Sequence, residues 1–220
     1  MTIKVWSDVH CAFAANHMVS QLIKLGHEAM IIKEWNQYDE SLHILYQVSN
    51  KYNLPKNYIL MQTEAWFSHW FNAHYHQTIR NAKAVWDYSV DNQQVYEHEN
   101  KFIVTPGISP QPNGFKAIET LFYGWIEGSN RRKDNLKEIK KKFPIQVVTN
   151  TTGPGMWSLL AVTRKVINIH YYDNSPLELY RLHEALSFGC EVYLWDEQRY
   201  YTEGKDNFEE IQTALKQIGL

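Results

Sequence analysis

Ile3-Lys4-Val5-Trp6, a loop through residue 13, then Asn16 to Leu25, Gly26 and Ala29-Met30-Ile31-Ile32 form the stretch that decides the fold. Ile3 to Trp6 reads as a short strand. Met18, Val19, Leu22, Ile23 and Leu25 recur at the spacing of one helix face. Gly26 stands where helices commonly end in a left-handed residue, and 29–32 is a second apolar strand. A strand, a helix and a strand in so few residues make a βαβ unit, and such units build parallel sheets.

The alternation continues outward from this unit. Helices are expected at 42–52, 66–81, 131–142, 157–162, 177–188 and 207–218. Strands are expected at 58–61, 84–88, 102–105, 120–123, 145–149, 166–170 and 192–195. The run Pro106-Gly107-Ile108-Ser109-Pro110-Gln111-Pro112-Asn113-Gly114 carries three prolines and two glycines and reads as a linker. The chain is therefore expected to be α/β, with two Rossmann-like lobes of minimal size facing a cleft. The N-terminal lobe would cover 1–112 and the C-terminal lobe 113–220. Ligands of such sheets sit beyond the carboxyl ends of the strands.

Composition bounds the function. Of 220 residues, 44% are hydrophobic and 21% charged, enough to build an ordinary core. A formal net charge of −2 gives no global pull toward nucleic acid or anionic lipid. Cys11 and Cys190 lie far apart and match no zinc spacing, so reduced thiols in a cytoplasmic protein are expected. No apolar run approaches the about 20 residues of a membrane span, and the chain opens directly into a strand without a signal-peptide pattern.

Two segments concentrate chemistry. The first is Phe122-Tyr123-Gly124-Trp125-Ile126-Glu127-Gly128-Ser129-Asn130-Arg131-Arg132-Lys133, a strand running through a glycine-containing loop into a basic helix start. Backbone N–H groups and guanidinium forks there suit a diphosphate. Cations at a helix N-terminus oppose the macrodipole, so a purely solvated role carries a small penalty. The second is Asn168-Ile169-His170-Tyr171-Tyr172-Asp173-Asn174, followed by Leu177-Glu178, Arg181 and His183-Glu184-Ala185-Leu186-Ser187-Phe188-Gly189. Glu178, Arg181 and Glu184 share one helix face at i,i+3 spacing, which a salt-bridged surface helix would also give.

These motifs resemble GT-B glycosyltransferases of a compact type found in viruses and bacteria. The resemblance is strongest over 121–189, where Tyr123-Gly124, Arg131-Arg132, Leu136 and the second segment match. It extends to Leu25-Gly26-His27-Glu28, to 58–64 and to 81–89. It implies transfer of a sugar from a nucleotide-sugar donor, UDP- or GDP-linked, to an acceptor hydroxyl on a glycan or a modified DNA base. No metal or other cofactor is implied, and the chain carries no Asp-X-Asp triplet. The resemblance places Glu184 on the donor ribose and Arg131 or Arg132 before the diphosphate. Gly124, Asn168, His170, Tyr172, Glu178 and Arg181 complete the donor side. An earlier glutamate is usual eight positions before the ribose glutamate, but Pro176 stands there, with Glu178 the nearest carboxylate.

A general base would come from loops after the first-lobe strands. Asp8 and His10 follow the first strand and Glu64 follows the strand 58–61, and each is a candidate. Each also has a plain reading, Asp8 and Glu64 as capping carboxylates and His10 as a loop histidine. Asp87 reads as structural. His69, His74 and His76 have helical spacing without a matching ligand set, a weak metal signal. A module that binds a nucleotide sugar without turnover is the alternative to the enzyme.

Overall fold

The computed structural model describes residues 2–173 and 175–220. Asn174, part of the second motif, lies outside the described residues. The first elements are β1 (Thr2–Trp6), a single 3-10 turn (Val9–Cys11), α1 (Ala12–Lys24), β2 (Glu28–Ile31), β3 (Leu42–Tyr46) and β4 (Tyr58–Gln62). Then come α2 (Ala73–Asn81), β5 (Ala84–Asp87), α3 (Val90–Gln93) and β6 (Lys101–Ile103). All six strands pair in parallel in the order β2-β1-β3-β4-β5-β6. The helix α1 ends as its sequence indicates. Gly26 has φ +88°, its N–H donates to Ile23 O and the His27 N–H donates to Leu22 O, the paired bonds of a Schellman cap.

Residues 42–46 correct the sequence reading. The expected helix over 42–52 is the strand β3, flanked by β1 and β4 and buried at every position. A strand covered on both faces reads as a continuous apolar run, which periodicity cannot separate from a buried helix. The chain leaves it through Gln47 at φ 51°. The helix expected from residue 66 begins only at Ala73, where the Asn72 side chain accepts from the Tyr75 N–H. The core beside this sheet gathers Trp6, Leu45, Tyr58, Leu60, Tyr75, Ile79 and Val85.

The later elements are β7 (Ile118–Tyr123), α4 (Asn130–Lys142), β8 (Gln146–Val148), α5 (Gly153–Ala161) and β9 (Thr163–Asn168). They are followed by α6 (Leu179–Ser187), β10 (Glu191–Leu194), β11 (Arg199–Tyr201) and α7 (Phe208–Gln217). The second sheet runs β8-β7-β9-β10-β11, parallel except for β11, which turns back antiparallel on β10. The sequence reading lacked β11, a three-residue strand too short for alternation to register. Phe122, Leu136, Ile139, Ile167 and Ile169 pack the face of this sheet that α4 covers. Both sheets have the branching strand order of Rossmann-like α/β folds.

The chain divides into two compact units, one of residues 1–107 with 206–220 and one of 108–205. The sequence boundary placed α7 with the later residues. The structure joins it to the first unit, because Ile211, Ala214 and Leu215 are buried and the Glu210 carboxylate accepts from the Thr105 N–H at 2.7 Å. The Asn207 amide also donates to Thr105 O at 2.6 Å. No helix of the described residues is long and apolar enough to cross a membrane.

Candidate functional site

In the second sheet the strand order reverses between β7 and β9, and the crevice beyond their carboxyl ends is where such sheets take ligands. Tyr123 ends β7 and Asn168 ends β9. Gly124 follows at φ +135°, and a Cβ there would stand 2.8 Å from Arg181 Nη2. Only glycine lets the backbone and this guanidinium approach so closely. Arg181 in turn donates to Asn168 Oδ1 at 3.3 Å, pairs with Glu178 and lies over the Tyr123 ring at 5.6 Å. The second amide atom of Asn168, Nδ2, is buried without a hydrogen-bond partner among the described residues.

Glu184 lies one turn along α6. Its Oε1 accepts from Trp157 Nε1 at 2.8 Å, and the Tyr123 hydroxyl is 3.2 Å from its Oε2. Burial raises the pKa of this carboxyl, and the bonds from Trp157 and Tyr123 oppose the shift. The Trp157 bond sets α5 beside α6. The first turn of α5, Gly153-Pro154-Gly155, has no side-chain cap on its N–H groups and no acidic residue, a start that favours an anion. Proline is tolerated in that turn, so α5 begins four residues before the sequence reading placed it.

Arg132 is 2% exposed and donates to Ile169 O at 2.9 Å, to Trp125 O at 2.7 Å and to both Glu178 oxygens at 2.7 and 3.0 Å. Burial and, next, the nearby Arg181 charge lower its pKa to about 10. Arg131 pairs with Asp173 and, at 2.6 Å, with Asp196, whose other oxygen accepts from the His170 N–H. Two of the cations that oppose the α4 dipole thus meet carboxylates of the same unit. Burial alone would raise the Glu178 pKa, but Arg181 and Arg132 outweigh it and hold the group ionised. Arg131 and Arg132 thus meet carboxylates of their own unit, while Arg181 lies against Gly124 and Asn168 at the ends of β7 and β9.

His170 is buried, with Nε2 3.7 Å from Glu197. Tyr172 meets Tyr171 edge-on at 4.8 Å. Asp196 and Trp157 were not singled out from the sequence, since their partners lie 26 to 65 positions away.

The first-unit candidates differ in setting. Asp8 caps the 3-10 turn by accepting from the His10 N–H, and His10 is exposed, 4.0 Å from the Asp8 carboxylate. Glu64 is buried just beyond β4, where it accepts from Ser49 at 3.0 Å and Ser68 at 3.5 Å. Burial raises its pKa and the two hydroxyl bonds oppose the shift. Asn92, fully buried, donates to Glu64 O and to Asp87, and its Oδ1 accepts from the Trp66 N–H at 3.1 Å. His69, His74 and His76 are dispersed into contacts with Trp70, Tyr52 and Phe71. Among the described residues no three His, Cys, Asp or Glu side chains form a metal-binding group.

No family model and no curated protein matches the chain. Among solved structures it is similar to a GtfA/B complex bound to UDP and GlcNAc, at 9% identity and a TM-score of 0.28. That match covers 90% of this chain and 55% of the other, so the chain spans little more than half its length. It is also similar to the E. coli RcsC C-terminus with its linker region and phosphoreceiver domain. There the identity is 13% and the TM-score 0.25, covering 99% of this chain and 92% of the other. Likenesses this slight carry no argument, and the reading of the site rests on its own geometry.

Proposed function

We propose that the chain is a metal-independent glycosyltransferase that moves a sugar from a nucleotide-sugar donor to the hydroxyl of a glycan or a modified DNA base. The observation that carries the reading is the Arg181 guanidinium packed on Gly124 at the reversal point of the second sheet. In this reading the donor diphosphate faces Arg181 and the uncapped first turn of α5. Glu184 holds the ribose, and Glu178 orients Arg181. The acceptor oxygen bonds to the anomeric carbon, the bond from that carbon to the diphosphate oxygen breaks, and the nucleoside diphosphate leaves. The acceptor proton passes to a general base, for which Glu64, its pKa raised by burial, is the first candidate. Half-buried Asp8 and exposed His10, on the turn after β1, are the other candidates for that step. Cys11 and Cys190 are both buried thiols, which fits a reducing cytoplasm.

A second reading, a nucleotide-sugar-binding module without turnover, is favoured by Pro176, which stands where a donor-sugar carboxylate is usual. A panel of UDP-, GDP-, ADP-, CMP- and dTDP-sugars followed by thermal shift tests both, since a ligand of the folded state raises its stability. Donor hydrolysis or transfer that disappears in Glu184→Ala supports the enzyme. Binding without turnover supports the module, and no shift with any nucleotide sugar contradicts both.

A further inference from the structure

We propose that the groove between β6 and α7 holds an extended basic peptide, which adds to β6 as an antiparallel strand. Every residue of this surface belongs to the first unit, and peptide binding there is independent of sugar transfer.

The strand β6 (Lys101–Ile103) is an edge of the first sheet, paired with β5 on one side only. The Val85 N–H donates to Asn100 O and the Val104 N–H to Asp87 O, both at 2.9 Å. Backbone groups alternate in direction along a strand, so residues 100, 102 and 104 turn theirs to β5 and residues 101, 103 and 105 turn theirs outward. At Thr105 both outward groups are met from the start of α7. Its N–H donates to the Glu210 carboxylate at 2.7 Å, and its carbonyl accepts from Asn207 Nδ2 at 2.6 Å. The outward groups of Lys101 and Ile103 have no such hydrogen bond among the described residues. Beside them a groove of about 450 Å³ opens between β6 and α7. An antiparallel strand laid there satisfies all four groups, the main-chain recognition used in β-strand addition.

The lining selects the side chains. Directly opposed residues of an antiparallel pair share a face, and Phe102 shares the groove with Thr213 and Ala214. Residues opposite Val104 and Phe102 therefore point into it. The Glu210 bond to Thr105 puts the acidic first turn of α7 at the Val104 end, where Glu209 is exposed and without an ion pair among the described residues. Lys101 is the lining's one cation, and its ammonium is taken by Gln93 O at 2.8 Å and Tyr96 O at 3.3 Å. A basic side chain opposite Val104 thus meets acid that no cation offsets, and a small apolar one opposite Phe102 meets Ala214 and Thr213. A lipid has no row of amides to pair with the strand, and a nucleic acid brings like charge to the two carboxylates.

Fluorescence polarisation of the full chain with fluorescein-labelled Gly-Lys-Thr-Val-Thr-Val-amide tests the assignment. In the antiparallel register its Lys lies opposite Val104 and its first Val opposite Phe102. Saturable binding is expected. N-methylation of the two Thr, whose N–H groups face β6, abolishes it, whereas N-methylation of the Val between them leaves it. Glu209→Lys weakens binding about three- to tenfold, and a peptide with Glu in place of Lys binds as weakly. Thr213→Trp fills the groove and Ile103→Pro removes an outward N–H, so each abolishes binding; the methylated peptides decide if either variant folds poorly. Met30→Ser, on the opposite edge strand β2, leaves binding unchanged. Failure to bind in the millimolar range, equal affinity for the Glu peptide, or the same response to both methylation patterns overturns the proposal. So does sedimentation showing the chain alone to be a dimer that Thr213→Trp dissociates, because the edge then belongs to a second copy.

Discussion

Replacing Arg132 with methionine tests whether the paired arginines at the start of α4 are framework or ligand groups. Arg132→Met keeps the length and apolar stem but removes a buried charge. It deprives Trp125 O and Ile169 O of their donors and removes the two-pronged partner of Glu178. Breaking a buried ion pair from one side costs about 3–5 kcal/mol. Glu178 retains Arg181 and the Tyr171 N–H at 3.3 Å, so the lower end, about 3 kcal/mol, is expected. A cycle with Glu178→Gln makes the coupling explicit. The double variant should be more stable than the sum of the single losses implies, by about 1–3 kcal/mol. Urea unfolding followed by far-ultraviolet circular dichroism gives the stabilities, and calorimetry with nucleotide sugars gives binding by the folded fraction. A variant as stable as the wild type that has lost nucleotide affinity refutes the framework role and returns Arg132 to the diphosphate.

Three further outcomes follow from the same structure. Gly124→Ala puts a methyl 2.8 Å from Arg181 at φ +135°, so a stability loss of about 1–3 kcal/mol is expected, with nucleotide affinity falling as Arg181 is pushed aside. Undiminished affinity in a folded Gly124→Ala protein would contradict the close approach. Burial raises the Asp87 pKa to about 6 from 3.8. Ionising it therefore opposes folding: the penalty is absent below about pH 4, grows as pH rises to 6 and reaches about 3 kcal/mol above that. Asp87→Asn, which does not ionise, should gain on the wild type between pH 4 and 7, and a pH-independent difference in unfolding free energy would refute the assignment. Asn92→Ala removes the clamp on Trp66 and should cost about 2–3 kcal/mol, with faster hydrogen exchange at the Trp66 amide. Unchanged exchange there would show that the loop holds itself.

The βαβ opening, most of the strands and the helix end at Gly26 were legible because each depends on residues close in sequence. Gly26 needs only its own helix to cap it. The strand β3 was not legible, because its all-buried pattern comes from two neighbours distant in the chain. The helix α7 was legible as a helix, but its membership of the first unit depends on Thr105, about a hundred positions earlier. At the site, Gly124, Arg181 and Glu184 stood out in the motifs, and the fold sets Gly124 against Arg181 and Tyr123 against Glu184. The ion pairs of Arg131 and Arg132 did not follow from the motif, since Glu178, Asp173 and Asp196 reach them only through the fold. The Asn92 clamp on Glu64 and Trp66 left no local signal at all.

Calorimetric titration of the wild type and Arg181→Ala with UDP- and GDP-sugars bears most directly on the donor site. A charge-assisted bond to a diphosphate is worth about 1.5–3 kcal/mol. The account expects one nucleotide sugar to bind the wild type and about 10- to 100-fold weaker binding in a variant still folded by circular dichroism. Equal affinity in the two proteins, or no binding by the wild type, would contradict it.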